Sequence, residues 1–118
     1  MAEPIPQVQI ESEIMRLSGL AEAVTHKLAE RAREAAAADV AYKVAHAQAL
    51  LRADGPQYVR DAQATVDTAD QYQARRVAEA RLLAAQEAGR NYRAQLDSLR
   101  SINANLRHAI TSSMGVGG

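Results

Sequence analysis

The sequence predicts an all-α fold: a long antiparallel two-helix hairpin of the coiled-coil type that dimerises into a helical bundle. Apolar residues recur in alternating steps of three and four along both halves of the chain, which is the spacing of a left-handed coiled-coil seam. The tripeptide Asp54-Gly55-Pro56 separates the two halves. Alanine makes up about half of the apolar residues, so the chain forms helix readily but has little large apolar surface to bury.

The first predicted helix covers residues 9–53 and follows an extended N-terminal arm, residues 1–8. Pro4 and Pro6 in this arm prevent a regular helix before about Gln7, because proline fixes φ and restricts the residue before it. One alternative is a break near Ser18-Gly19, since glycine inside a helix costs about 1 kcal/mol relative to alanine. That break would give a short N-terminal helix and three helices in all.

The turn is predicted at residues 54–56 and the second helix at residues 57–110. Gly55 can adopt the left-handed conformation that ends a helix, and Pro56 is suited to the first turn of the next one. A break near residues 65–68 is an alternative, because threonine, valine and aspartate are poor helix formers. Residues 111–118 (TSSMGVGG) are expected to be a flexible tail.

The seam of the hairpin is predicted to carry helix pairing and self-association. Asn103 interrupts it, and a single polar residue in a coiled-coil seam commonly fixes register or oligomeric state. The seam residues are Ile14, Leu17, Val24, Leu28, Tyr42, Leu82, Tyr92, Leu96, Leu99, Asn103 and Leu106.

Eight further apolar residues lie outside the main seams. They predict a second apolar face, and therefore a homo-oligomer (a dimer or higher) and a protein partner. These residues are Val40, Val44, Leu50, Leu51, Val66, Val77, Leu83 and Ile102.

Charge and composition exclude several classes of function. The 14 basic and 14 acidic residues give zero net charge, which argues against binding nucleic acid or membrane surfaces through bulk electrostatics. Without cysteine, disulfides and thiolate metal sites are excluded. No segment is apolar enough to span a bilayer, and the first residues do not form a signal peptide. We therefore expect a cytoplasmic protein without membrane association.

No set of residues predicts catalysis, a metal site or a cofactor site. His26, His46 and His108 are far apart in the sequence, and none belongs to the Glu-x-x-His pattern of di-iron bundles. There is no Ser–His–Asp or Cys–His set and no glycine-rich phosphate loop. The chain is therefore predicted not to be an enzyme.

A row of arginines in the second helix is the one candidate site for an acidic partner or nucleic acid. Three of its members are seven residues apart and share a helix face, which could contact phosphates. We favour the alternative that they pair, within or between subunits, with Glu11 and Glu13 of the first helix. The row consists of Arg90, Arg93, Arg100 and Arg107.

Three sequence runs resemble small alanine- and arginine-rich helical proteins of siphophages and actinobacteriophages. The runs are residues 41–55 (AYKVAHAQALLRADG), 60–64 (RDAQA) and 92–101 (YRAQLDSLRS). The resemblance implies a phage-encoded adaptor or an accessory protein of recombination or replication, and it implies no catalytic residue. The length, the hairpin and the glycine-containing turn also resemble the WXG100 secreted proteins, which implies secretion as a hairpin dimer. That family's secretion signal, a tyrosine followed four residues later by an acidic residue, is absent after Tyr58, Tyr72 and Tyr92, so this alternative is disfavoured.

Overall fold

The computed structural model describes residues 6–115, and within this range the chain is all-helical, with no β-strand. Three helices follow one another: α1 (Gln7–Arg52), α2 (Gln57–Asp67) and α3 (Ala69–Gly115). The long helices α1 and α3 contain 46 and 47 residues, and α2 contains 11. Residues 1–5 and 116–118, and with them most of the predicted N-terminal arm and the end of the predicted tail, lie outside the described range.

Helix α1 begins directly after Pro6 and is continuous. The Pro6 carbonyl accepts hydrogen bonds from the backbone N–H groups of Gln9 (3.0 Å) and Ile10 (3.2 Å), which forms the first turn although proline has no N–H of its own. The alternative of a break near Ser18-Gly19 is wrong, since both residues lie inside α1. Gly19 is exposed and nothing lies near the position of a Cβ atom, so its helix-weakening effect is tolerated within a long helix.

The turn between α1 and α2 covers Ala53 to Pro56. Gly55 has a φ of 104°, a value that side chains with a Cβ atom adopt only with strain. Pro56 is the N-cap of α2, and its carbonyl accepts hydrogen bonds at 3.1 Å from the backbone N–H groups of Val59 and Arg60. Proline can begin this helix because the N–H group that it lacks would have no partner within the helix at this position.

The second predicted helix is two helices, separated at Thr68. Both the backbone N–H and the hydroxyl of Thr68 donate to the Ala64 carbonyl, at 3.1 and 2.6 Å. A threonine hydroxyl that bonds back to this carbonyl competes with regular helix geometry, and Thr68 has φ −114° and ψ 20°. The prediction of one continuous helix over residues 57–110 is therefore wrong. The alternative, a break near residues 65–68, is confirmed.

Helix α3 extends beyond its predicted end. The sequence placed residues 111–118 in a flexible tail, but α3 continues to Gly115. Threonine and serine favour helix less than alanine does, and methionine favours it about as much as leucine does. None of these residues blocks a backbone hydrogen bond of the helix. A helix that is already formed therefore propagates through them, because each added residue needs no new nucleus.

The chain forms two compact units, and the first combines Met1–His26 with Glu87–Gly118. Within its described part, Ile10 and Leu17 of α1 and Leu96 of α3 are buried. Burying an isoleucine or leucine side chain contributes about 1.5–3 kcal/mol. These branched side chains are therefore the main apolar stabilisation of this unit.

The second unit, Lys27–Gln86, contains the turn, α2 and the adjoining parts of α1 and α3. Its buried apolar residues are all alanines: Ala49, Ala64 and Ala78. The guanidinium Nη2 of Arg60 donates to the Leu50 carbonyl at 3.0 Å, which gives one of the last α1 carbonyls a partner and places a cation at the C-terminus of α1. Small residues and polar contacts thus hold this unit together.

Candidate interaction surfaces

The predicted seam residues lie on the less exposed sides of α1 and α3. Leu17, Leu96 and Asn103 are buried. The remaining eight are half-buried: Ile14, Val24, Leu28, Tyr42, Leu82, Tyr92, Leu99 and Leu106. Most of their apolar surface is used within the two units.

Asn103 is the polar member of the seam and lies in the first unit. Its side chain is buried, and its Oδ1 atom has no hydrogen-bond partner within the described part of the chain. An unsatisfied buried acceptor costs about 1–3 kcal/mol. Such a residue lowers stability, which agrees with a role in fixing register rather than in adding stability.

The apolar residues outside the seams are largely exposed. Of the eight, only Leu50 is half-buried, and the other seven are exposed. Met15 and Val8 in the first unit are exposed to a similar extent. Single exposed apolar residues are normal, but a contiguous apolar surface marks an interaction site.

The four arginines of the predicted acidic-partner face are all exposed on α3, in the first unit. Arg107 forms an ion pair with Glu11, with 3.1 Å between Nη2 and Oε1. Arg93 donates from Nε to the Gly89 carbonyl at 3.2 Å. Arg90 and Arg100 make no hydrogen bond or ion pair with the described residues. The pairing with Glu11 is therefore confirmed for Arg107 only.

Within the chain, none of the described contacts joins this arginine row to Glu13. Glu13 accepts from Arg16, one turn along α1, with 2.9 Å between Nε of Arg16 and Oε2 of Glu13. This hydrogen bond lowers the pKa of the Glu13 carboxyl and raises the pKa of Arg16. A partner three residues away on the same helix is always within reach, so the local pair forms in preference to a pair with α3.

A cluster in the second unit joins α1 to α3 through Tyr42, Tyr72 and Arg75. The two tyrosine rings meet edge to face, with 5.5 Å between their centroids and 64° between their planes. The Arg75 guanidinium lies 5.3 Å from the centre of the Tyr42 ring, within the range of a cation–π interaction. Arg75 also forms an ion pair with Asp39, at 2.9 Å from Nε to Oδ1.

The sequence analysis placed Tyr42 in the seam but missed this cluster. Asp39 is shared between Arg75 and Lys43, whose Nζ atom is 2.9 Å from Oδ2. The hydrogen bond from Lys43, with the charge of Arg75, lowers the pKa of the Asp39 carboxyl. A depression of about 190 Å³ lies beside the tyrosines and is lined by Tyr42, Thr65, Thr68, Ala69 and Tyr72. It is small for a ligand site, and we assign the cluster to packing.

The described residues contain no group of three or more histidine, aspartate or glutamate side chains that could hold a metal ion. His46 stacks at a tilt on Tyr42, with 5.6 Å between the ring centroids. The only shifted pKa values in the described range belong to ordinary ion pairs on helix surfaces. None of them has the burial and partner arrangement typical of a catalytic group.

No protein-family model, curated protein or solved structure matches this chain. Within residues 6–115, none of the three helices is sufficiently long and apolar to cross a membrane. Inferences about function therefore depend on the surfaces described above.

Proposed function

We propose that this protein is a non-catalytic interaction protein, a helical hairpin that works as an oligomer and docks partners through exposed helix faces. The observation that carries the proposal is the set of exposed large apolar side chains outside the seams. Three of them, Val40, Val44 and Leu51, recur at helical spacing along α1, and covering them requires a second molecule. A phage adaptor in the bacterial cytoplasm is the setting that the sequence resemblance implies.

The antiparallel hairpin within this proposal is supported by contacts in each unit separately. In the second unit, the turn reverses the chain and Asp39 of α1 pairs with Arg75 of α3. In the first unit, Glu11 and Arg107 form an ion pair although they are 96 residues apart in sequence. Both contacts join α1 to α3, as an antiparallel pair of helices requires.

Sedimentation equilibrium of the purified full-length protein tests the proposal. We expect a mass of at least twice the 12.7 kDa of one chain at micromolar concentration, with circular dichroism confirming the helical content. A folded monomer under these conditions that also retains no partner from host extract would contradict the proposal.

The arginine row favours a second candidate, a nucleic-acid-binding accessory protein. Arg90 and Arg100 are exposed and make no ion pair with the described residues, so two cations of the row are available to phosphates. Each phosphate contact releases counterions, which makes the affinity depend steeply on salt. With Arg93, which donates only to a carbonyl of its own helix, the row could contribute three such contacts.

A titration with single- and double-stranded DNA and RNA at low salt tests this candidate. Replacing Arg93 and Arg100 by alanine should weaken binding and lower the salt slope by nearly one per lost contact. Arg33→Ala with Arg81→Ala is the matched control, because both side chains are exposed in the second unit. Equal losses in the two double variants, or no binding at all, would refute the candidate.

A further inference from the structure

The outward side of the last part of α1 carries a second apolar stripe within the Lys27–Gln86 unit. We call it the outer stripe, and it consists of Ala37, Val40, Val44, Ala47 and Leu51. All five residues are exposed, with 59%, 50% and 82% of the surface of Val40, Val44 and Leu51 accessible. The steps between them are three, four, three and four residues, the same alternation that marks a coiled-coil seam.

The outer stripe faces away from the seam of the same helix. Val40, Val44, Ala47 and Leu51 each follow a seam residue by two positions, which corresponds to about 200° around an α-helix. Those residues, the seam residue Tyr42 and the alanines in line with it (Ala38, Ala45 and Ala49), are half-buried or buried. A helix that is apolar on two opposite sides is one that is covered on both sides, and within this unit only one side is covered.

We propose that the outer stripe is a second coiled-coil seam, which binds the outer stripe of a second copy of this chain in an antiparallel, two-fold arrangement centred on Val44. The inference rests on the proposed function and names its partner and its surface. Side-chain size supports this occupant. In the antiparallel alignment Leu51 lies opposite Ala37 and Val44 meets itself, so that the largest residue of the stripe faces one of its smallest and the patch is complementary to itself.

Charge supports a second copy over a charged partner or a membrane surface. Four residues that flank the outer stripe, Ala36, Ala41, Gln48 and Leu50, are uncharged. The fifth flanking residue, Lys43, forms an ion pair with Asp39, with 2.9 Å between Nζ and Oδ2. Two copies therefore meet without uncompensated like charges. An amphipathic helix that binds anionic lipid carries several free basic residues beside its apolar face, whereas the five flanking positions of this stripe hold one basic residue, Lys43, which is ion-paired.

Cysteine cross-linking tests the alignment, since the chain contains no cysteine. Under mild oxidation, Val44→Cys should give a disulfide-linked dimer. Ala37→Cys should link to Leu51→Cys when the two variants are mixed, and neither should link efficiently alone. Met15→Cys, an exposed position in the other unit, is the control. Linking of Ala37→Cys to itself, or Val44→Cys linking no faster than Met15→Cys, would overturn the antiparallel arrangement.

Charge substitution tests the surface independently of cross-linking. The double variant V40E/V44E should raise the dimer dissociation constant about tenfold or more, because both carboxylates would have to be desolvated in the interface. Its helical content should not change, since both residues are exposed. The matched control is V8E/M15E, which adds the same charge at two exposed positions of the other unit.

Each result of these measurements decides a different question. If V40E/V44E still associates as strongly as V8E/M15E, the outer stripe is not the interface, while the proposed function stands on another face. If the unmodified chain is a monomer, the inference and the self-association within the proposed function both fail. If that monomer instead binds vesicles of anionic lipid and V40E/V44E does not, the occupant is a lipid surface and the inference is overturned.

Discussion

Replacing Leu17 by alanine should destabilise the protein by about 2–3 kcal/mol. Leu17 is 1% exposed, and the substitution removes three carbon atoms at about 0.8 kcal/mol each, or about 2.4 kcal/mol. The cavity left behind normally adds to this cost. Here Leu17 borders an open groove of about 440 Å³ that Leu99 and Ala94 also line, so solvent and neighbouring side chains can relax into the space and the cavity contribution is small.

Urea denaturation followed by circular dichroism at a fixed protein concentration measures this loss. The concentration must be equal in all samples, because association stabilises the folded state by mass action. Met15→Ala is the matched control, since Met15 lies on the same helix and is 76% exposed. That variant should change the free energy of unfolding by less than about 0.5 kcal/mol. If the two variants differ by less than this, Leu17 does not belong to a packed core and the reasoning is wrong.

Three further predictions concern single positions. Gly19→Ala should raise the free energy of unfolding by about 1 kcal/mol in the same assay, because Gly19 lies inside α1 and nothing occupies the space of a Cβ atom; a loss of stability would contradict this. Gly55→Ala should instead lower the melting temperature, by the equivalent of about 1–2 kcal/mol, because Gly55 has a φ of 104°; an unchanged melting temperature would show that the turn tolerates a side chain. The pKa of Asp39 is held below its ordinary value of 3.8 by Lys43 and then Arg75, so its stabilisation is present above that pH and is lost as the pH falls through the lowered folded-state pKa. Urea midpoints of Asp39→Asn and the unmodified protein should therefore differ at neutral pH and converge in strong acid, and a constant difference would refute the assignment.

Most of the helical structure could be predicted because it depends on local properties of the sequence. Alanine-rich segments with a sustained period of three and four residues have no competing strand pattern. The turn could be placed because Gly55 and Pro56 each suit one conformation of a helix end. By contrast, the break at Thr68 could not be predicted from its hydroxyl, because Thr25 and Thr65 make the same bond to the carbonyl four residues earlier and remain inside their helices.

The side-chain partners on the surfaces were harder to predict. From the sequence, Glu11 and Glu13 were equally good partners for the arginines of α3. Within the chain only Glu11 forms such an ion pair, with Arg107, whereas Glu13 pairs with Arg16 one turn away on α1. The contact of Tyr42 with Tyr72 and Arg75 depends on how far the break at Thr68 shifts the register of α3. The heptad pattern gives no sign of such a shift.

The outer stripe was only partly visible in the sequence. Val40, Val44 and Leu51 were recognised as lying outside the seam, but they were grouped with apolar residues from α2 and α3. Exposure separates them, because these three line one side of one helix in one unit together with Ala37 and Ala47. The alanines carried no signal by themselves, since alanine is equally suited to exposed and buried helix positions.

The most direct test of self-association through exposed apolar faces is a sedimentation equilibrium comparison of the unmodified chain with V40E/V44E. The account predicts an unmodified mass of at least twice 12.7 kDa at micromolar concentration. It predicts a shift of V40E/V44E towards the single-chain mass, with equal helical content in both samples. A folded single-chain mass for the unmodified protein would contradict it.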